Sequence, residues 1–266
     1  MTKTDSHNPG SESSSPQLAE IQVASNPTAP TAPPKTKAKP SPLIPPYSVR
    51  MRPFYRLVHD AFALWSRFWL RLEVHGLENF PADGPVLLLP THTSFLDPPL
   101  LGSHIPRMIS YLARDGILKA PVLGTACRWL NTVGIRRGGG DRQALRICQA
   151  ILRGGSPLVY FPEGTRSSDG RLGPLQRGFV LIIEPLKDVP YVPVVMQDTY
   201  RVLRRGRLFP RPRKVHIRIG EPARLPPRRQ AEPARQYHQR CVEDLERRLR
   251  ELGAACRSIP SDFKPG

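Results

Sequence analysis

Two short stretches carry residues whose types and spacing suit chemistry. In PTHTSFLDPPL, His92 and Asp97 stand five positions apart, just after the apolar run Val86 to Leu89. That separation lets a turn or a first helical turn bring the carboxylate back onto one imidazole nitrogen. Such a partner fixes the tautomer and stabilises the imidazolium, which leaves the other nitrogen as a general base, a role worth roughly 10²–10⁴ in rate. The structural alternative is a capping Asp beside an incidental His. Ser94 lies between the two, yet the chain contains no G-x-S-x-G elbow. Three triad members this close in sequence would struggle to reach nucleophile, base and orienter geometry, which usually draws on separate segments. Ser94 therefore reads as a hydroxyl that stabilises the loop.

The second stretch is FPEGTRSSDG, Phe161 to Gly170, which again follows an apolar run. Gly164 permits close backbone approach, Thr165 offers a hydroxyl, and Arg166 presents a planar donor fork suited to a phosphate. Glu163 cannot favour a phosphate directly, so its expected work is to orient Arg166 or to accept a hydrogen bond from a substrate hydroxyl. A tight turn with a surface arginine is the alternative. A third piece, GIRRGGGDR, sets Arg136 and Arg137 beside three glycines. It has the composition of a phosphate loop but neither the P-loop pattern nor dinucleotide glycine spacing.

These pieces need a scaffold, and the hydrophobic pattern supplies one. Buried strands are expected at 86–89, 108–112, 132–135, 158–161, 192–196 and 215–219. Helices are expected from Asp141 to Leu152, stopped by Gly154, and from Arg235 to Leu252. Strand, helix, strand in this rhythm implies an α/β fold with a mixed, largely parallel sheet flanked by helices, and in open sheets of that kind ligands bind at strand ends. Upstream, Phe54 to Leu72 repeats apolar residues at helical spacing with arginines opposite. It carries four charges in 19 residues, too many for a spanning helix of ~20 mostly uncharged residues. Two readings remain open: an interfacial helix inserting Phe54, Phe62, Trp65, Phe68 and Trp69 between headgroups, or a surface helix packing that face on its own core.

Composition sets the limits around this. The chain has 266 residues, 32 prolines and a formal charge of +18. Residues 1–46 hold ten of the prolines with much Ser and Thr, too few apolar groups to offset the entropy of ordering, so a disordered tail is expected there. The divisions follow: tail 1–46, amphipathic helix region 47–75, α/β core 76–222, basic segment and last helix 223–266. Four cysteines without paired spacing point to a reducing compartment and no structural zinc. The excess charge attracts polyanions of several kinds. Tyr200 to Gln230 alone contains eleven Arg or Lys against Glu221, but no nucleic-acid motif or aromatic platform accompanies it, so no nucleic-acid partner is expected. A basic patch beside an anionic leaflet or a solvated face accounts for the same residues.

Taken in order along the chain, His92 to Asp97, an arginine after an apolar strand, FPEGTRS and VPVV at 192–195 resemble the four sequence blocks of the glycerolipid acyltransferase family, in particular its bacterial 1-acylglycerol-3-phosphate acyltransferases. The resemblance runs from about Phe54 to Gly220 and includes the lead-in GLENFPADGPVLLLP. It implies one acyltransferase domain that moves a fatty acyl group from a thioester donor to a lysophospholipid hydroxyl, yielding phosphatidic acid. His92 would be the base and Asp97 its orienting partner. Arg137, or its neighbour Arg136, would stand in the second block, Glu163, Gly164, Thr165 and Arg166 in the acceptor-binding block, and Pro193 in the last. Thr91 replaces the Asn common before the histidine, which bears on substrate subtype rather than on chemistry. No cofactor or metal is implied, only acyl-CoA or acyl carrier protein as donor. The partners implied are the lysophospholipid acceptor and an anionic membrane surface, at the cytoplasmic face of the cell membrane and held peripherally, which favours the reading of 47–75 as an amphipathic membrane-associating helix region. Another lysolipid, such as a lyso-ornithine lipid, is the alternative acceptor.

Overall fold

A computed structural model of the chain describes residues 53–114, 124, 131–135, 140–203 and 209–254. Among the described residues its sheet has seven strands: β1 (Glu73–His75), β2 (Leu87–Pro90), β3 (Ser110–Arg114), β4 (Thr132–Ile135), β5 (Leu158–Val159), β6 (Tyr191–Gln197) and β7 (His216–Ile219). Their order is β1-β7-β6-β2-β5-β3-β4. Every neighbouring pair is parallel except β6 and β7, so the sheet is mixed and largely parallel, as the strand and helix rhythm implies. The α-helices whose bounds fall among the described residues are α1 (Pro53–Trp69), α2 (Asp97–Gly102), α3 (Gly140–Arg153), α4 (Gly178–Ile183), α5 (Thr199–Val202) and α6 (Ala234–Glu251).

Burial explains why β2 reads as one unbroken apolar run. It lies between β6 and β5, and Leu87, Leu88 and Leu89 are fully buried, as expected of a parallel strand covered on both faces. The two faces separate by alternation. Leu87, Leu89 and Val195 join a core layer with Ile151 and Leu152 of α3, Phe179 and Ile182 of α4, and Leu245 and Leu249 of α6. Val86, Leu88, Val192 and Val194 join the other with Leu100 and Leu101 of α2, Ile105, and Leu70 beyond α1. Pro193 sits in β6, where its carbonyl accepts from Gly220 N–H just past the end of β7. Its missing donor therefore falls where the ladder with β7 stops.

Two expectations change. The strand anticipated at 158–161 ends after Val159; Tyr160 N–H still donates to the Leu88 carbonyl, and Pro162 then turns the chain toward the site. Helix α1 also divides its aromatics. Phe62 and Trp65 pack on the core, while Leu57, Leu64 and Phe68 are 67%, 58% and 80% exposed. The outward stripe is thus 57, 61, 64 and 68, helical spacing on the side away from the sheet. Beyond the helix, Arg71 takes a positive φ of 44°, and Leu70 and Leu72 N–H both return to the Ser66 carbonyl.

Candidate active site

The chain leaves β2 at Pro90 and turns at once into α2, and this turn carries the histidine and aspartate. Asp97 is the first residue of α2, with Pro98 next in a first turn where a missing N–H costs nothing. Its carboxylate is fully buried. Oδ2 accepts three hydrogen bonds, from Thr93 N–H and Ser94 N–H at 2.7 Å each and from His92 Nδ1–H at 2.9 Å. Backbone amides only donate, so Oδ2 is an acceptor and Nδ1 must carry the proton. The lone pair then resides on Nε2, for which no partner exists among the described residues. Oδ1 is buried without a partner among them as well. The imidazole remains partly accessible, its side chain 18% exposed, and its ring stacks on Phe161 with centroids 4.0 Å apart. Ser94 Oγ accepts from Leu96 N–H, so it stabilises the loop.

The FPEGTRS loop docks on this turn through backbone contacts. Ser167 N–H donates to the His92 carbonyl at 2.8 Å. Glu163 Oε1 accepts from His92 N–H at 2.8 Å, and Oε2 from Gly173 N–H at 2.9 Å. Glu163 is therefore not turned to Arg166 or outward to a substrate hydroxyl as its sequence context suggests; at 4% exposure it is a buried brace between two loops. Burial pushes its carboxyl pKa up, the two amide donors and His92 offset part of this, and Asp97 adds to it. Gly164 holds φ +67°, and a Cβ there would come within 2.6 Å of the Gln176 side chain. Thr165 is exposed. The Arg166 guanidinium lies 3.3 Å from the centroid of the Phe95 ring, a cation–π contact that sets it over the His92 turn.

Thus His92, Asp97, Glu163, Gly164, Thr165 and Arg166 belong to two loops held against each other at the strand ends. Arg137 and its alternative Arg136 lie outside the described residues. Two contributors were missed in the sequence, Phe161 under the imidazole and Phe95 under the guanidinium, and Thr91, noted there for substrate subtype, accepts through Oγ1 from Met196 N–H across to β6. No spacing rule announces such pairs. Behind the turn lies a cavity of about 530 Å³. Thr91, Thr93, Gln197, Tyr200, Arg171 and Arg201 contribute to its wall, and Gln197 Oε1 is buried without a partner among the described residues.

Comparison with known proteins converges on one class. Residues 71–197 match the family model described as Acyltransferase. The chain is 32% identical over 159 residues to the chloroplastic 1-acyl-sn-glycerol-3-phosphate acyltransferase BAT2 of Brassica napus, an overlap covering 58% of this chain and 46% of that protein. It is 27% identical to the 1-acyl-sn-glycerol-3-phosphate acyltransferase of Bacillus subtilis, covering 68% of this chain and 91% of the relative. The chain spans about half the length of the plant relatives it matches. Among solved structures, the 1-acyl-sn-glycerophosphate acyltransferase PlsC of Thermotoga maritima is similar at a TM-score of 0.58 and 28% identity, over 75% of this chain and 80% of that one.

Proposed function

Residues 71–197 belong to the acyltransferase family, and on that premise we propose that the protein transfers a fatty acyl group from acyl-CoA or acyl carrier protein to the free hydroxyl of 1-acylglycerol-3-phosphate. The observation that carries this reading is the imidazole whose Nδ1–H is held by the buried Asp97 carboxylate while Nε2 is left to act. The acceptor hydroxyl gives its proton to Nε2 as its oxygen attacks the thioester carbonyl carbon. The tetrahedral intermediate collapses, the C–S bond breaks, and the imidazolium returns the proton to the departing thiolate. One ester forms and one thioester is lost, so no covalent enzyme intermediate is required. Asp97 stabilises the imidazolium in between. Glu163 acts through the backbone by fixing His92, and Arg166 stands where a phosphate beside His92 would meet a planar donor fork.

The surroundings support anionic substrates drawn from a lipid surface. Arg171 and Arg201 join Arg166 around the strand ends. No described helix is long and apolar enough to cross a membrane. The outward stripe of α1, with Trp69 bonded through Nε1–H to the Pro210 carbonyl beside the 83% exposed Phe209, suits insertion among headgroups of an anionic leaflet. Peripheral attachment at the cytoplasmic face follows as part of the proposal.

The test is an acceptor and donor panel in vitro, with products identified by mass spectrometry. Phosphatidic acid from 1-acylglycerol-3-phosphate is expected, and it should vanish in His92→Ala protein that keeps its circular dichroism. Full transfer without His92 would sink the mechanism. Product only from another lysolipid, such as a lyso-ornithine lipid, would move the reading to that acceptor.

A further inference from the structure

At the sheet edge farthest from β4, β1 pairs in parallel with β7, with Glu73 opposite His216. Strand alternation puts Glu73 and His75 on one face, and the register places His216 beside them. The side chains converge. Glu73 Oε2 lies 3.3 Å from His216 Nδ1 and 3.7 Å from His75 Nε2, and the two nitrogens are 3.4 Å apart. A tetrahedral ion held at about 2.0–2.1 Å by nitrogen and oxygen donors requires those donors about 3.3–3.4 Å from one another. The three atoms therefore outline one face of such a tetrahedron. Lys214 Nζ holds the other carboxylate oxygen, Oε1, at 2.7 Å, which turns Oε2 toward the histidines. Glu73 and His75 are exposed, so the fourth corner opens to solvent.

We propose that Glu73, His75 and His216 form a binding site for a divalent ion of the zinc class, which clasps the edge strand β1 to β7. Two imidazoles and one carboxylate suit such an ion better than magnesium or calcium, which require more oxygen donors. The site is separate from His92 and owes nothing to the proposed acyl transfer. An ion bound only by the folded chain stabilises it in proportion to the logarithm of its concentration over Kd. The clasped element is a three-residue strand directly after the segment that leaves α1.

The experiment titrates the full chain, without a histidine tag, with zinc by calorimetry and with cobalt(II) by visible absorption, beside His75→Ala, His216→Ala and His92→Ala variants. One equivalent of zinc, four-coordinate cobalt bands without thiolate charge transfer, and a thermal midpoint raised by zinc and returned by chelator are expected. Removing His75 or His216 should weaken binding at least as much as loss of an outer-shell partner, ~10–100-fold, while His92→Ala binds as the parent does. His75→Gln serves as the conservative check that a lost site is not a lost fold. Absence of saturable binding, or binding unchanged in both His75→Ala and His216→Ala, overturns the proposal.

Discussion

Asp97 concentrates three donors on one buried oxygen, and two of those donors are backbone amides that cannot move away. In Asp97→Asn the amide oxygen can keep the backbone bonds, but the neutral group no longer stabilises an imidazolium. We expect kcat to fall about 10²- to 10⁴-fold with little change in acceptor KM and an unchanged far-ultraviolet spectrum, measured in steady-state transfer assays. Glu163 makes a different prediction. Glu163→Gln replaces one acceptor with an NH₂ group, so either His92 N–H or Gly173 N–H faces a donor, a loss of ~1–3 kcal/mol. Because burial raises its folded pKa, the parent chain holds the Glu163 proton more tightly folded than unfolded. Its contribution is fully present below the unfolded value and is lost as pH rises through the folded one. The melting-temperature gap between parent and Glu163→Gln should therefore be widest in acid and narrow toward neutrality; a gap constant with pH would contradict this account.

At the scale of elements, the site depends on how strand ends and loops are stitched together. Thr91 ties the end of β2 to β6 by accepting Met196 N–H at 2.9 Å, and its own N–H donates to Val194. Thr91→Val keeps the shape but orphans a buried donor, so chemical denaturation should show ~1–3 kcal/mol of lost stability. This gives Thr91 a structural task. Gly164 is constrained by its φ of +67° and by Gln176. Gly164→Ala should cost ~1–2 kcal/mol from backbone strain and raise acceptor KM by shifting Arg166, read by calorimetry and kinetics. Gly84→Ala, at φ +75° with nothing within 4 Å, isolates the strain from the displacement. Helix α3 and helix α6 were legible as periodic runs bounded by turn residues. Strand β1 was not: three residues, Glu-Val-His, show neither an apolar run nor a usable alternation, and the pairing with β7 alone makes them a strand.

Across the whole molecule, the +18 charge is partly taken up within the fold. On α6, Arg247 pairs with Asp244 and Glu251, Arg248 with Asp244, and Arg250 with Glu246, while Arg240 grips Glu232. That grip and the Arg229 N–H hold the Glu232 carboxyl down at about 2. In the basic stretch, Lys214 meets Glu73 and Arg201 meets Asp198. These cations are matched within the fold by carboxylates of its own surface. The apolar stripe of α1 is the complementary surface. Replacing Leu64 and Phe68, both exposed, with Ser should leave the melting temperature unchanged. Co-sedimentation with anionic vesicles should drop about tenfold or more, since each buried side chain of this kind is worth ~1.5–3 kcal/mol. Vesicle binding unaffected by the double substitution would overturn the proposal that this stripe inserts into a membrane.

The sequence by itself determined the α/β class, the two chemical loops and the helix that precedes them, because hydrophobic period and local spacing act over a few residues at a time. His92 and Asp97 could be paired on paper for the same reason: one turn closes the distance. Only the tertiary structure decided what Glu163 does, since its partners His92 and Gly173 lie 71 and 10 positions away. It also decided which aromatics of α1 face out, and it brought His216 to Glu73 and His75 across the 141 positions that separate it from His75. Those outcomes depend on strand order and register, which follow from burying both faces of one sheet at once. No local pattern encodes that global condition.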